Sequence, residues 1–314
     1  MWLAIIAALG GLVLLVLGAD RFVSGAAGTA RALGVPPLVI GLIIVGIATS
    51  MPEVFVGGVA AWDEKTRIAI GNALGSNIAN IGLVLGATAL FSPLLVQSQT
   101  LRREFFLMCM AMLIALLVML DLHLGRGDGL LLLAALGLML TWIVRQTRQA
   151  ANPVQGEGET KQSPVLSKSI ILMVVGLLVL LAGAELLVRG AVYIAREIGV
   201  DDLVIGLTIV AVGTSLPELA ASLMSVAKKE MDLAIGNVIG SNMFNMLMVL
   251  GIPCIIYPDT FGKEVLLRDF PVMAGLTLLM VYMVFYSSKN RFNRMGGVVL
   301  LLCFVAYQYW LFQG

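Results

Sequence analysis

The chain is written twice. Displaced by 165 residues against itself, GVPPLVIGLIIVGIATSMPE (34–53) falls on GVDDLVIGLTIVAVGTSLPE (199–218) with 13 of 20 positions identical. AIGNALGSNIANIGLVLG (69–86) falls on AIGNVIGSNMFNMLMVLG (234–251) with 11 of 18. The register holds without a gap out to Gly18/Gly183, Arg31/Arg196, Pro93/Pro258 and Arg103/Arg268. Solenoids repeat every ~20–50 residues, so a period this long is half a protein. Any fold for this chain has to be built from two copies of one unit.

Composition says what the unit is. Sixty per cent of the residues are hydrophobic, 12% are charged, and the mean hydropathy is +1.00. A soluble domain carries about 25% charged residues, so this chain cannot coat itself for water. At ~20 apolar residues per span the length admits roughly ten spans. The hydrophobic runs place five helices in the first half, near 2–29, 36–60, 68–90, 104–121 and 128–145. Five more lie near 167–195, 202–226, 233–256, 269–286 and 295–312. The fold expected is an all-α polytopic membrane protein. Its halves are 1–146 and 167–314, with core repeats at about 34–90 and 199–255, joined by the polar stretch 147–166 (TRQAANPVQGEGETKQSPVL). No basic n-region precedes the first apolar run, and its counterpart recurs mid-chain, so it is read as a retained helix.

Five is odd, and a half with an odd number of spans starts on one side of the membrane and ends on the other. Its copy is then inserted upside down, which predicts inverted repeats related by a pseudo-twofold axis in the membrane plane. Lys and Arg divide thirteen to seven in favour of the side holding the 147–166 linker. The positive-inside rule puts that linker in the cytoplasm and both termini outside, in a bacterial or archaeal inner membrane.

Most acids fall at helix ends or loops, where solvation accounts for them. Glu53 and Glu218 lie well inside the second helix of each half, at matched positions. A carboxylate near the centre of a membrane helix costs ~2.5–3.5 kcal/mol on insertion scales. No Lys or Arg is expected at that depth to compensate it, which points to a bound cation; the rival is two protonated, hydrogen-bonded carboxylic acids. Both glutamates sit in Thr-Ser-x-Pro-Glu, as Thr49, Ser50, Pro52, Glu53 and Thr214, Ser215, Pro217, Glu218. Thr at i−4 and Ser at i−3 share the glutamate's helix face. Proline removes an N–H and clashes with the preceding turn, releasing carbonyls near Ala48 and Gly213. In a bilayer such breaks are tolerated where the released groups line a cavity or bind an ion.

The third helix of each half adds Gly-Ser-Asn-x-x-Asn: Gly75, Ser76, Asn77, Asn80 and Gly240, Ser241, Asn242, Asn245. Ser76 and Asn80 point the same way, as do Ser241 and Asn245, and interhelical hydrogen bonding is the rival to cation binding for these pairs. Asn77 and Asn242 lie on another face and read as structural. Gly71/Gly75 and Gly236/Gly240 form small-xxx-small strips of the kind that let helices approach. The set is all oxygen, with two negative charges, which suits hard cations such as Ca²⁺ or Na⁺. The seventeen methionines are assigned to packing. Cys109, Cys254, Cys303 and the single histidine, His123, form no ligand cluster.

These paired TS[ML]PE and GSN-x-x-N motifs in five-helix halves resemble the alpha repeats of the cation/calcium exchanger superfamily, and most of all the bacterial and archaeal sodium/calcium exchangers. The resemblance covers essentially the whole chain. It implies cation ligands at Thr49, Ser50, Glu53, Ser76 and Asn80 and at Thr214, Ser215, Glu218, Ser241 and Asn245. It also implies backbone carbonyls seven residues before each glutamate, at Gly46 and Ala211. Some relatives carry Asp at the position of Asn245; Asn in both halves argues against potassium co-transport and lowers the site's charge. The resemblance further implies that the first helices of the two halves slide across the core. Asp20 and Glu185 occupy matched positions on those helices, as interfacial charges or, second, as gating contacts.

The function expected is secondary antiport of Na⁺ against Ca²⁺ by alternating access, the ions being substrates and not cofactors. A cation/proton antiporter using the same glutamates is the alternative, and a passive channel a weaker one. An enzyme lacks a catalytic constellation here. A net charge of +1 gives no electrostatic case for nucleic acid, and lipid is the only partner expected beyond the ions, no obligatory protein partner being evident.

Overall fold

The structure is a computed structural model and describes residues 1–95, 99–150, 165–200, 209, 211–286 and 291–313. Residues 151–164 of the expected linker, and 202–208 and 210 of the expected 202–226 helix, lie outside the described residues. The helices are α1 (Trp2–Leu33), α2 (Pro37–Trp62), α3 (Thr66–Phe91), α4 (Gln99–Met119) and α5 (Arg126–Ala150). They continue with α6 (Leu166–Glu197), α7 (Leu216–Ala227, preceded by the helical turn Ala211–Thr214), α8 (Met231–Ile256), α9 (Val265–Phe285) and α10 (Arg294–Gln313). Among the described residues eight helices are long and apolar enough to cross a membrane: all of these except α4 and α7. Helix α5 runs to Ala150 and α6 begins at Leu166, so both ends of the 147–166 stretch are helical.

Two compact units are distinguished, Met1–Ala48 with Leu140–Asn237, and Thr49–Met139 with Val238–Gly314. Each draws on both sequence halves.

The first unit is organised by a glycine seam. Gly11, Gly18 and Gly25 recur every seven residues on α1, and Gly176, Gly183 and Gly190 do so on α6. A seven-residue spacing keeps all three on one helix face. A Cβ at Gly11, Gly18 or Gly25 would collide with the backbone of Leu187, Leu180 or Met173, and one at Gly176 or Gly183 with that of Phe22 or Leu15. Partners descend in number as the glycines ascend, so α1 and α6, equivalent helices of the two halves, run antiparallel. Small residues are how membrane helices gain contact where lipid offers no hydrophobic drive. The other buried face of α1 (Ala19, Phe22, Val23, Ala26, Ala30) packs with Ile40, Val45, Ala221 and Leu233. Helix α1 ends at Gly34, in the left-handed region with φ 63°, a conformation glycine adopts without a Cβ penalty. Its match, Gly199, also has positive φ.

The second unit holds two glycine contacts related by the same offset. Gly86 of α3 meets Gly297 and Leu301 of α10, while Gly251 of α8 meets Gly129 and Leu132 of α5. Two-residue strands tie its loops: β1 (Leu94–Leu95) pairs antiparallel with β4 (Arg291–Phe292), and β2 (His123–Leu124) with β3 (Asp259–Thr260). Strand β3 is β1 displaced by 165 residues, and each bonds the loop before the last helix of the opposite half. The Gly71/Gly75 strip is not a close-packed seam: a Cβ at either would meet nothing within 4 Å. Gly236 does approach Leu38 and Leu42 at backbone distance.

Candidate functional site

Helix α2 breaks at Ser50, whose backbone sits at φ −83°, ψ 3°; the matched Ser215, between the turn Ala211–Thr214 and α7, sits at φ −88°, ψ 3°. These are bridge-region values. The cause follows two residues later: Pro52 and Pro217 supply no N–H, so the carbonyls of Ala48 and Gly213 cannot receive the usual i+4 bond. The Ser215 N–H donates three residues back, to Val212 O at 3.1 Å. Each glutamate therefore stands in the first turn of a fresh helical segment. Glu53 and Glu218 are both 1% exposed.

Helices α3 and α8 bring the next residues. Both widen into a π-helical turn that begins at the second asparagine of the motif, Asn80–Leu85 in α3 and Asn245–Val249 in α8. The Leu250 N–H donates to Asn245 O at 3.1 Å, five residues back. Single π turns of this kind are often found at functional positions, and nothing in the residue pattern announced them.

Within the unit Thr49–Met139 with Val238–Gly314, seven of the expected ligands are found: Thr49, Ser50, Glu53, Ser76, Asn80, Ser241 and Asn245. All are buried. Thr49 Oγ1 and Ser241 Oγ, from opposite sequence halves, share a hydrogen bond of 3.3 Å. The other unit contains Gly46, Ala211, Thr214, Ser215 and Glu218, of which Gly46, Ser215 and Glu218 are buried and Thr214 is half-buried.

The rival reading, hydrogen bonding between helices, accounts for Ser241 through Thr49. It does not account for the asparagines. Asn80 and Asn245 are 1% and 0% exposed, and among the described residues neither Oδ1 nor Nδ2 of either side chain has a hydrogen-bond partner. Leaving a buried polar group unsatisfied costs ~1–3 kcal/mol, and at these two matched positions it falls on both amide atoms of the side chain. Asn77 and Asn242 differ in that their Nδ2 groups are engaged, although the Oδ1 of each is also without a partner among the described residues. Asn77 Nδ2 donates to Asn242 O at 3.2 Å, and Asn242 Nδ2 to Val238 O at 2.6 Å.

Two residues were missed. Asn72 Nδ2 donates to the backbone carbonyl of Glu53 at 3.0 Å, and Asn237 Nδ2 to that of Glu218 at 3.3 Å. Both belong to the duplicated AIGN, whose identity at the 165-residue offset was the available signal. Of the matched acids on the first helices, Asp20 bonds Lys228 and Arg21, whereas Glu185 bonds Arg189 of its own helix.

Comparison with known proteins identifies the family. The profile of the family described as sodium/calcium exchanger protein matches residues 3–145 and 168–313, the two halves in turn. The putative antiporter CaxA of Alkalimonas amylolytica is 46% identical over the whole of both chains. The inner membrane protein YrbG of Escherichia coli K12 is 38% identical, over 96% of this chain and 95% of its own. The sodium/calcium exchanger MaX1 of Methanosarcina acetivorans is 31% identical, over 96% of each. Among solved structures, the sodium-calcium exchanger NCX_Mj superposes with a TM-score of 0.84 at 32% identity, over 97% of both chains. With its duplicated glutamate motif, its apolar helices and these matches along its whole length, the chain is a multi-pass membrane transport protein and belongs to the sodium/calcium exchanger family.

Proposed function

We propose that the protein is a secondary antiporter that exchanges Na⁺ for Ca²⁺ across the membrane by alternating access. The observation that carries this reading is the pair of fully buried asparagine side chains, Asn80 and Asn245, whose amide atoms find no hydrogen bond among the described residues. Each lies in the same sequence repeat as a carboxylate at 1% exposure, Asn80 with Glu53 and Asn245 with Glu218. Buried acids in a membrane protein mark ion pathways, and a buried amide oxygen without a hydrogen bond suits a hard cation. The ligand set is Thr49, Ser50, Glu53, Ser76, Asn80, Thr214, Ser215, Glu218, Ser241 and Asn245, with the carbonyls of Gly46 and Ala211. Two carboxylates balance one Ca²⁺ or two Na⁺, so the ions compete for the same oxygens. The relatives named as exchangers of sodium and calcium support that choice.

The same reading has the chain crossing the membrane ten times, as two inverted five-helix halves with the 147–166 linker in the cytoplasm and the termini outside. The antiparallel course of α1 and α6 and the matched β1–β4 and β3–β2 pairings support it. The test is ⁴⁵Ca²⁺ uptake by the reconstituted protein. Uptake is expected to follow a trans-side Na⁺ gradient and to stop when that gradient is removed. Uptake driven instead by a pH gradient in Na⁺-free buffer would replace Na⁺ by H⁺ as the coupling ion.

A further inference from the structure

Glu53 and Glu218 are each held by the main chain from a neighbouring helix. Asn72 donates to Glu53 O at 3.0 Å and Asn237 to Glu218 O at 3.3 Å, and the two bonds are equivalent under the 165-residue offset. We propose that Asn72 and Asn237 are positioning residues of the cation site, which set where the carboxylates of Glu53 and Glu218 stand by anchoring their backbone. The proposal rests on the reading of these glutamates as cation ligands.

The need for an anchor follows from the break. Ser50 and Ser215 leave helical geometry, and Pro52 and Pro217 cannot bond back across it. The first turn after the break is therefore short of the bond a Pro52 or Pro217 N–H would have made, while Val54 and Leu219 still donate to Ser50 O and Ser215 O at 3.1 and 3.0 Å. A carbonyl oxygen has two lone pairs, so the amide adds a bond to Glu53 O or Glu218 O without competing with the helix. In both copies the asparagine bonds the carbonyl of the glutamate itself. Binding geometry has to be held within ~0.5 Å by such supporting contacts, because a side chain reaches no more accurately than its own backbone is placed.

The two anchors are unequal. Asn237 Nδ2 also donates to Ser222 Oγ at 3.0 Å, while the position matched to Ser222 is Gly57. The amide of the second half is thereby oriented by a second bond. That of the first half is not, and Asn72 is less buried than Asn237.

The experiment measures Ca²⁺ uptake against Ca²⁺ concentration by the full-length protein in liposomes. Asn72→Ala is expected to raise the apparent KM for Ca²⁺ about tenfold, the net worth of about one hydrogen bond, with the maximal rate nearly unchanged. Asn72→Leu keeps the side-chain volume without the donor and is expected to show the same rise, so a folding failure of the alanine variant does not decide the matter. Asn72→Gln keeps the amide on a longer arm and is expected to recover part of the affinity. Combined with Glu53→Asp, which shortens the carboxylate, Asn72→Ala is expected to cost much less than it does alone. A wild-type KM in Asn72→Leu, or effects that simply add with Glu53→Asp, overturns the positioning role while leaving the antiporter reading in place. Wild-type protein that carries no Ca²⁺ under either gradient overturns both.

Discussion

Lys228 Nζ lies 2.6 Å from Asp20 Oδ1, which ties α1 to the turn that follows α7; further along α1, Arg31 Nη1 lies 2.8 Å from Glu230 Oε1. The positions matched to these pairs by the 165-residue offset are Glu185 with Asp63, and Arg196 with Lys65. Both are like-charged, so the duplicated protein holds opposite charges for this tie in one copy only. Asp20→Lys is expected to lower the melting temperature in detergent by the equivalent of about 1 kcal/mol, the upper range for a partly exposed pair. Exchanging the charges, Asp20→Lys with Lys228→Asp, is expected to restore it, and added salt to shrink the difference. A double variant as unstable as the single one would show that the pair contributes nothing as a pair.

Glu53→Gln and Glu218→Gln keep the size and hydrogen-bonding reach of the side chain while deleting a charge. Removing one charged partner from a buried pair costs ~2–5 kcal/mol, so Ca²⁺ uptake is expected to fall at least about thirtyfold in each. Elution as a single species in detergent should be retained. Uptake at the wild-type rate in either variant would remove the carboxylates from the ligand set.

Asn245→Asp turns a buried amide that has no hydrogen-bond partner among the described residues into a third carboxylate of the proposed site. A divalent ion gains more from an added charge than a monovalent one. The expected outcome is a lower apparent KM for Ca²⁺ together with a lower maximal rate, since release slows as binding tightens. The split between KM and rate, read from one uptake titration, is the check; Asn77→Asp, at a residue engaged in helix contact, should not reproduce it.

Gly18→Ala puts a methyl group into the backbone of Leu180, whereas Gly75→Ala points its methyl into open space. Overpacking of this kind costs ~1–3 kcal/mol. Gly18→Ala is therefore expected to reduce the folded yield and melting temperature, and Gly75→Ala to leave both near wild type. Equal melting temperatures would mean that α1 and α6 can separate at no cost.

Much of the fold could be read from the residues, because lipid leaves the chain few options. Long apolar runs become helices where no water can satisfy a backbone group, and most expected spans lie within a few residues of the observed helices. The helix break was legible because proline acts on its own neighbours: Pro52 and Pro217 announce the bends at Ser50 and Ser215 wherever the helices pack. The glycine pattern was legible in part: Gly236 does approach the backbone of Leu38 and Leu42, whereas Gly71 and Gly75 meet nothing within 4 Å. The Gly71/Gly75 spacing matched a known packing motif, yet a spacing says only that close approach is possible. The seven-residue series on α1 and α6 is where it happens, because there a second helix with the same series lies alongside.

The sequence by itself determined the duplication, the membrane character and the matched glutamates Glu53 and Glu218 of the Thr-Ser-x-Pro-Glu motifs. All of these follow from residue identity and local spacing. Only the tertiary structure decided which polar groups are already satisfied. Asn72, Asn77, Asn80 and their matched partners are the same residue type within a few positions of one another on a single helix. One bonds a glutamate's carbonyl, one bonds the opposite half, and one is left with both amide atoms open. A hydrogen bond needs its partner within about 3 Å and in line. Whether Asn is anchor, contact or ligand is therefore set by what the neighbouring helix presents at that point, which no local pattern encodes.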